Sequence, residues 1–292
     1  MLEQTMPAKR IGIVTLRHFL VVLLFLLPTP YSQAQSDAKP EMVEKLIALP
    51  WVKGPNEGAL GGVATVKLAS DLQFLGTSGT NQFLQLNGNL PNENTYTLAK
   101  TDLSWFSVFQ FAHSGYVKDD EKIDPDILLQ QLEESNVQGN EERKKQGLTL
   151  LHLEGWFVPP HYDSQTNQLE WGTRIRSESG GHLVNFTTRL LGKSGVMSAT
   201  LVSDPENLDR DVVEFKSALK SFAFNPGEKY TEFKQGDKVA EYGLAALIVG
   251  GAAAAAAKSG AGKAIFKGLG ILAIAGLAAL GALLKKLFWK KE

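Results

Sequence analysis

The chain of 292 residues has no cysteine. Disulfides and thiolate metal centres are therefore excluded. Methionine is scarce, at four residues, too few for a Met-rich metal or promiscuous binding surface. Catalytic signatures are missing as well: there is no H-E-x-x-H, no G-x-S-x-G and no regular Asp/Glu ligand loop. "GKSG" at 192–195 is no phosphate loop, since Thr187 stands where the first glycine belongs. Positive charge is also lacking where nucleic acid would need it. Residues 35–240 hold 20 Lys and Arg against 28 Asp and Glu, a net charge of −8, so no nucleic-acid partner is expected.

What is present divides the chain unevenly. Lys9, Arg10 and Arg17 precede an apolar run from Phe19 to Leu27 and a small-residue exit at Ser32-Gln33-Ala34. That order predicts a secretory signal peptide over 1–34. Residues 35–240 read as a periplasmic domain. Residues 241–267 form an Ala/Gly-rich basic juxtamembrane segment, a possible second span. Residues 268–292 contain 17 uncharged residues, Gly268–Leu284, then Lys285, Lys286, Lys290 and Lys291. They predict a transmembrane anchor with a basic tail on the cytoplasmic side.

Within the body, 41–48 predicts a helix and "GPNEGALGG" (54–62) a glycine-rich loop. "VATVKL" (63–68) and "SWFSVFQFA" (104–112) predict strands. Over 77–89 the pattern is a Thr cap, a short apolar helix and a Gly stop. Asp124 caps a helix that starts at Pro125, with Ile127, Leu128 and Leu132 as its apolar face. The charge run 141–147 reads as a surface connection. Residues 148–202 predict an antiparallel meander of three or four strands, the first stopped by Pro159-Pro160 and the last turn made by 192–195. A helix with Leu208, Val212, Phe215 and Leu219 on one face follows, gives way to Phe222/Phe224 alternation and ends at Asn225-Pro226-Gly227. The fold class expected is α+β: an antiparallel sheet with packed helices, plus a C-terminal transmembrane helix.

Candidate site residues concentrate in "GWFVPPHYDSQTNQLEW" (155–171): Trp156, Pro160, His161, Tyr162, Asp163 and Trp171. A His and a carboxylate two residues apart could share a proton or hold a metal. No nucleophile or second ligand accompanies them, so no catalytic residue is assigned and no metal or cofactor is expected. The structural reading is a hairpin in which Asp163 supports the turn and the two tryptophans pack across it. The acidic run 118–126 lacks the alternation of a calcium loop and reads as solvated.

These residues, with "GYVKDD" (115–120), "VNFTTRLLGKSGVM" (184–197), "GDKVAEYGLAALIVGG" (236–251) and the Lys-ended tail, resemble a bacterial family of uncharacterised, signal-bearing, membrane-anchored proteins defined by a domain of unknown function. The resemblance implies an envelope protein and supplies no activity. The meander and following helix are also similar in style to small α/β/α domains of the photosystem accessory and nuclear-transport-cofactor type. The expected function is non-enzymatic: an inner-membrane protein whose periplasmic domain binds another envelope component, an unknown protein or ligand, with inner-membrane lipid as its other contact. The alternatives are a hydrolase-type enzyme centred on His161 and Asp163, and a membrane-organising or transport-accessory protein acting through its apolar tail.

Overall fold

In a computed structural model, residues 41–89 and 91–249 are described. All of the described residues belong to one compact unit. Antiparallel strands are their main regular structure. The strands are β1 (Val52–Lys53), β2 (Asn56–Leu60), β3 (Ala64–Leu68), β4 (Leu72–Leu75), β5 (Thr95–Lys100), β6 (Phe106–Ala112), β7 (Leu151–Asp163), β8 (Gln168–Ser177), β9 (His182–Leu191), β10 (Val196–Ser203) and β11 (Phe222–Phe224). Eight of them form one sheet in the order β1-β4-β5-β6-β10-β9-β8-β7. The other three form a small sheet, β11-β3-β2. The helices are few: α1 (41–47), α2 (Thr77–Leu86), α3 (Pro125–Lys145), α4 (Leu208–Leu219) and α5 (Leu244–Val249).

Strand alternation sends successive side chains to opposite faces, and β10 shows what each face meets. Met197, Ala199 and Leu201 enter the largest core, against Phe215 and Leu219 of α4 and Leu60, Val66 and Leu68 of the small sheet. On the other face, Val202 packs with Leu46 of α1 and with Phe83 and Leu84 of α2. Val196 joins Leu128 and Leu132 of α3 and Leu244, Leu247 and Ile248 of α5. One face thus carries α4 and the small sheet. The opposite face carries α1 and α2 at one end, α3 and α5 at the other.

Several expectations are corrected. Residues 56–60, read as part of a loop, form β2, whose Gly58 lies opposite Val66 and beside the Phe74 ring. β7 does not stop at its prolines. It is the sheet edge, where an outward-facing N–H makes no ladder bond, and the pair is absorbed by a register shift between Val158 and His161. α3 starts as expected, with the Asp124 carboxylate accepting from the N–H of Asp126 and Ile127, but it continues through the charge run to Lys145. Of its expected apolar face, Leu128 and Leu132 are buried and Ile127 is exposed. Gly76, not Thr77, is the N-cap of α2.

The fold class is corrected too: this is mostly antiparallel sheet with few helices, and a C-terminal transmembrane helix is not supported. No helix among the described residues is long and apolar enough to cross a membrane. The apolar residues that open "YGLAALIVGG" are used differently. Leu244, Leu247 and Ile248 are core residues packed on α3, so the packed unit runs past residue 240 to Val249. The stretch 268–284, the segment 251–267 and the expected signal peptide over 1–34 lie outside the described residues.

Candidate functional site

The β7–β8 hairpin holds the motif residues, and the structure gives them separate tasks. Trp156 donates its indole N–H to the Pro125 carbonyl at 3.1 Å, pinning the start of α3. Tyr162 donates its hydroxyl to Asp119 Oδ2 at 2.7 Å, pinning the loop that precedes α3. The two sequence motifs, 115–120 and 155–171, therefore dock on each other. Trp171 is 5% exposed. It shares a cluster with Trp156, yet no ring-on-ring contact joins them; Arg189 lies over the Trp171 ring instead, at 5.4 Å. Pro160 lies within the shifted register of β7. His161 is exposed, opposite Glu170. Asp163 accepts from the Gln165 N–H and the Thr166 hydroxyl, both at 2.9 Å. Those bonds hold its carboxyl below the usual range and tie it into its own turn.

Behind the hairpin lies a cluster of phenols around one carboxylate. The Tyr116 ring stacks between Tyr230, at 4.4 Å, and Phe233, at 4.0 Å. It is placed there by Gly115, whose φ is +89° and whose absent Cβ would stand 2.6 Å from the Lys238 carbonyl oxygen. Tyr230 donates to the Val117 carbonyl at 2.8 Å. Burial first, then the neighbouring Asp119 carboxylate, pushes the Tyr162 phenol up. Burial and Tyr116 do the same for Tyr230. Both stay protonated and act as donors. Arg189 donates to the Leu247 carbonyl at 3.2 Å. Burial pushes it down to about 10, which leaves it charged at neutral pH. These groups hold and orient; none is an activated nucleophile.

The cluster backs onto a cleft of about 270 Å³. One wall is the hairpin tip, Thr166–Gln168; another is β11; the third is Lys229–Thr231. Leu190, Leu191 and Leu219 supply an apolar floor, and Tyr230 joins the cleft to the phenols. Gly192 is needed beside it, because a Cβ there would meet the Phe224 ring at 2.8 Å. Sequence reading found the hairpin tip through its turn residues. The Phe222/Phe224 alternation marked β11 as well; the floor was missed, because scattered leucines carry no local signature until the chain closes.

Residues 52–281 match the family described as "Protein of unknown function (DUF2167)". The chain belongs to that family. The match includes both docked motifs and the whole cleft. No curated protein matches the sequence. Among solved structures, the chain is similar to the solution structure of cyanobacterial PsbP (CyanoP) from Synechocystis sp. PCC 6803. The two are 9% identical with a TM-score of 0.34, over 58% of this chain and 92% of that one. At that score the likeness fixes neither fold nor function.

Proposed function

We propose that this DUF2167 chain is a non-enzymatic binding protein of the bacterial envelope, and that the cleft between the β7–β8 tip, β11 and 229–231 receives its partner. The observation that carries the reading is the lining: an apolar floor with a rim of Thr166, Asn167, Gln168, Lys229 and Thr231. A recognition surface has that division, with apolar contact at the centre and polar selection at the edge. Its volume suits a few side chains, since sites for larger cofactors run from roughly 300 to 1,000 Å³. The carboxylate of Asp163 is engaged in its turn, which counts against pairing it with His161 as an acid–base couple. The basic, apolar and small-residue order of residues 9–34 supports the envelope setting.

The test is site-specific photo-crosslinking of the full chain in its host. Probes at the exposed positions Thr166 and Thr231 should capture one discrete partner. Probes at Val137 and Val213, exposed by 65% and 69% on α3 and α4, should not. Capture at all four sites alike, or at none, rejects the cleft as the binding site.

A further inference from the structure

The cleft runs along an open strand edge, and the bonds of that edge can be read from the ladder. β11 pairs with β3 as Phe222↔Val66, Ala223↔Thr65 and Phe224↔Ala64. Just outside this register, the Lys67 N–H meets the Ser221 carbonyl at 3.5 Å and the Asn225 N–H meets the Val63 carbonyl at 2.9 Å. The odd-numbered residues 221, 223 and 225 are therefore the ones that face β3. In an antiparallel ladder the intervening residues point their amides and carbonyls the other way. Those of Phe222 and Phe224 form two donors and two acceptors, spaced two residues apart. None of the four makes a hydrogen bond within the described residues. β11 is also the last strand in its sheet, and all three of its residues line the cleft.

We infer that the cleft takes a short extended peptide from a partner protein, which adds to β11 as a fourth strand of the small sheet. The inference rests on the binding reading above and gives it a substrate class. An extended chain offers donors and acceptors at the two-residue spacing that Phe222 and Phe224 present. Side chains on one face of such a strand would reach the floor made by Leu190 and Leu219, so the peptide carries an apolar residue there. The lining holds a single charge, the exposed Lys229, so the peptide carries an acidic residue near it. Continuity helps as well: the added strand extends a ladder already formed by β11, β3 and β2.

The experiment selects heptapeptides from a random phage-displayed library on the full chain and measures the selected peptides by titration. Three results are expected. The amide resonances of Phe222 and Phe224 move and become protected from exchange. Phe222→Pro, which deletes one outward N–H and spares the bonds to β3, weakens binding about five- to tenfold more than Phe222→Ala, the loss of one net hydrogen bond. Methylating alternate peptide nitrogens abolishes binding in one phase of the alternation and not in the other. Peptides that shift Asn167 and Thr231 but treat Phe222→Pro and Phe222→Ala alike overturn the strand-addition inference and leave the cleft a binding site. A library that yields no peptide perturbing the cleft overturns both.

Discussion

β7 closes the eight-stranded sheet with thirteen residues, whereas β11 closes the small sheet with three. The long edge is covered. Asn140 of α3 donates to the Leu151 carbonyl at 2.7 Å and accepts from the Leu151 N–H at 2.9 Å. One helical turn earlier, Asn136 accepts from the Leu153 N–H at 3.2 Å. Arg174 donates to the Trp156 carbonyl. Further along, Pro159 and Pro160 have no N–H to offer. Side chains and prolines thus occupy nearly the full length of an edge that would otherwise template pairing with another chain. The short edge has no such cover, and it borders the cleft. Length explains part of the contrast, since a three-residue edge presents little hazard. Location explains the rest: the strand that carries the open groups lines the cleft.

The comparison breaks most severely where β7 loses its support. Trp171 is buried behind the hairpin. Trp171→Ala should cost ~3–5 kcal/mol, as large aromatic deletions in cores do, and lower the melting temperature sharply. A melting curve within a degree or two of the parent would show that the hairpin does not depend on it.

Uncovering the long edge should have the next largest effect. Asn140→Ala leaves the Leu151 N–H and carbonyl without their partner, at a cost of about 1–3 kcal/mol. It should also promote association through β7, visible as concentration-dependent light scattering. Loss of stability without association would mean that the prolines alone protect the strand.

The phenols behind the cleft give a pH signature. Tyr162 and Tyr230 have folded-state pKa values above the ordinary 10.0, so the native state holds these protons more tightly than the unfolded chain. Their contribution is complete below about pH 10 and declines as pH rises beyond it. Denaturant midpoints measured between pH 8 and 11 should fall at the alkaline end. The fall should be shallower in a Tyr162→Phe, Tyr230→Phe double variant; an equally steep fall would assign it elsewhere.

The smallest effects are expected at exposed positions. Ala223→Lys on β11 and His161→Ala on β7 should each change stability by no more than ~0.5 kcal/mol, measured by the same denaturation. Ala223 is exposed and its side chain meets no core. A large loss at His161 would indicate a partner that its exposed position does not reveal.

Much of this was legible in the residues, for reasons of range. α4, the Asp124 cap, the meander and the 192–195 turn depend on spacing within a few residues, and they appear where periodicity and caps place them. The docking of Tyr162 on Asp119 spans 43 residues and that of Trp156 on Pro125 spans 31, so only their motif character was visible. β2 was hidden because two of its five residues, Asn56 and Gly58, are turn formers that a neighbouring strand overrides. β7 was cut short because a proline pair ends a central strand but not an edge. The apolar opening of 244–249 read as membrane-seeking, since hydropathy does not distinguish lipid from a helix-covered core.

Pairing β3 with β11 joins residues 156 to 160 positions apart, and this sets an order of assembly. A ribosome adds roughly 5–20 residues each second. For roughly 10–30 seconds after β3 has been made, Leu60, Val66 and Leu68 therefore have no α4 or β11 to close over them. The nascent chain passes through a stage in which its largest core is open on one side. Any chaperone that holds it must release that face only after the last strand of the small sheet has emerged.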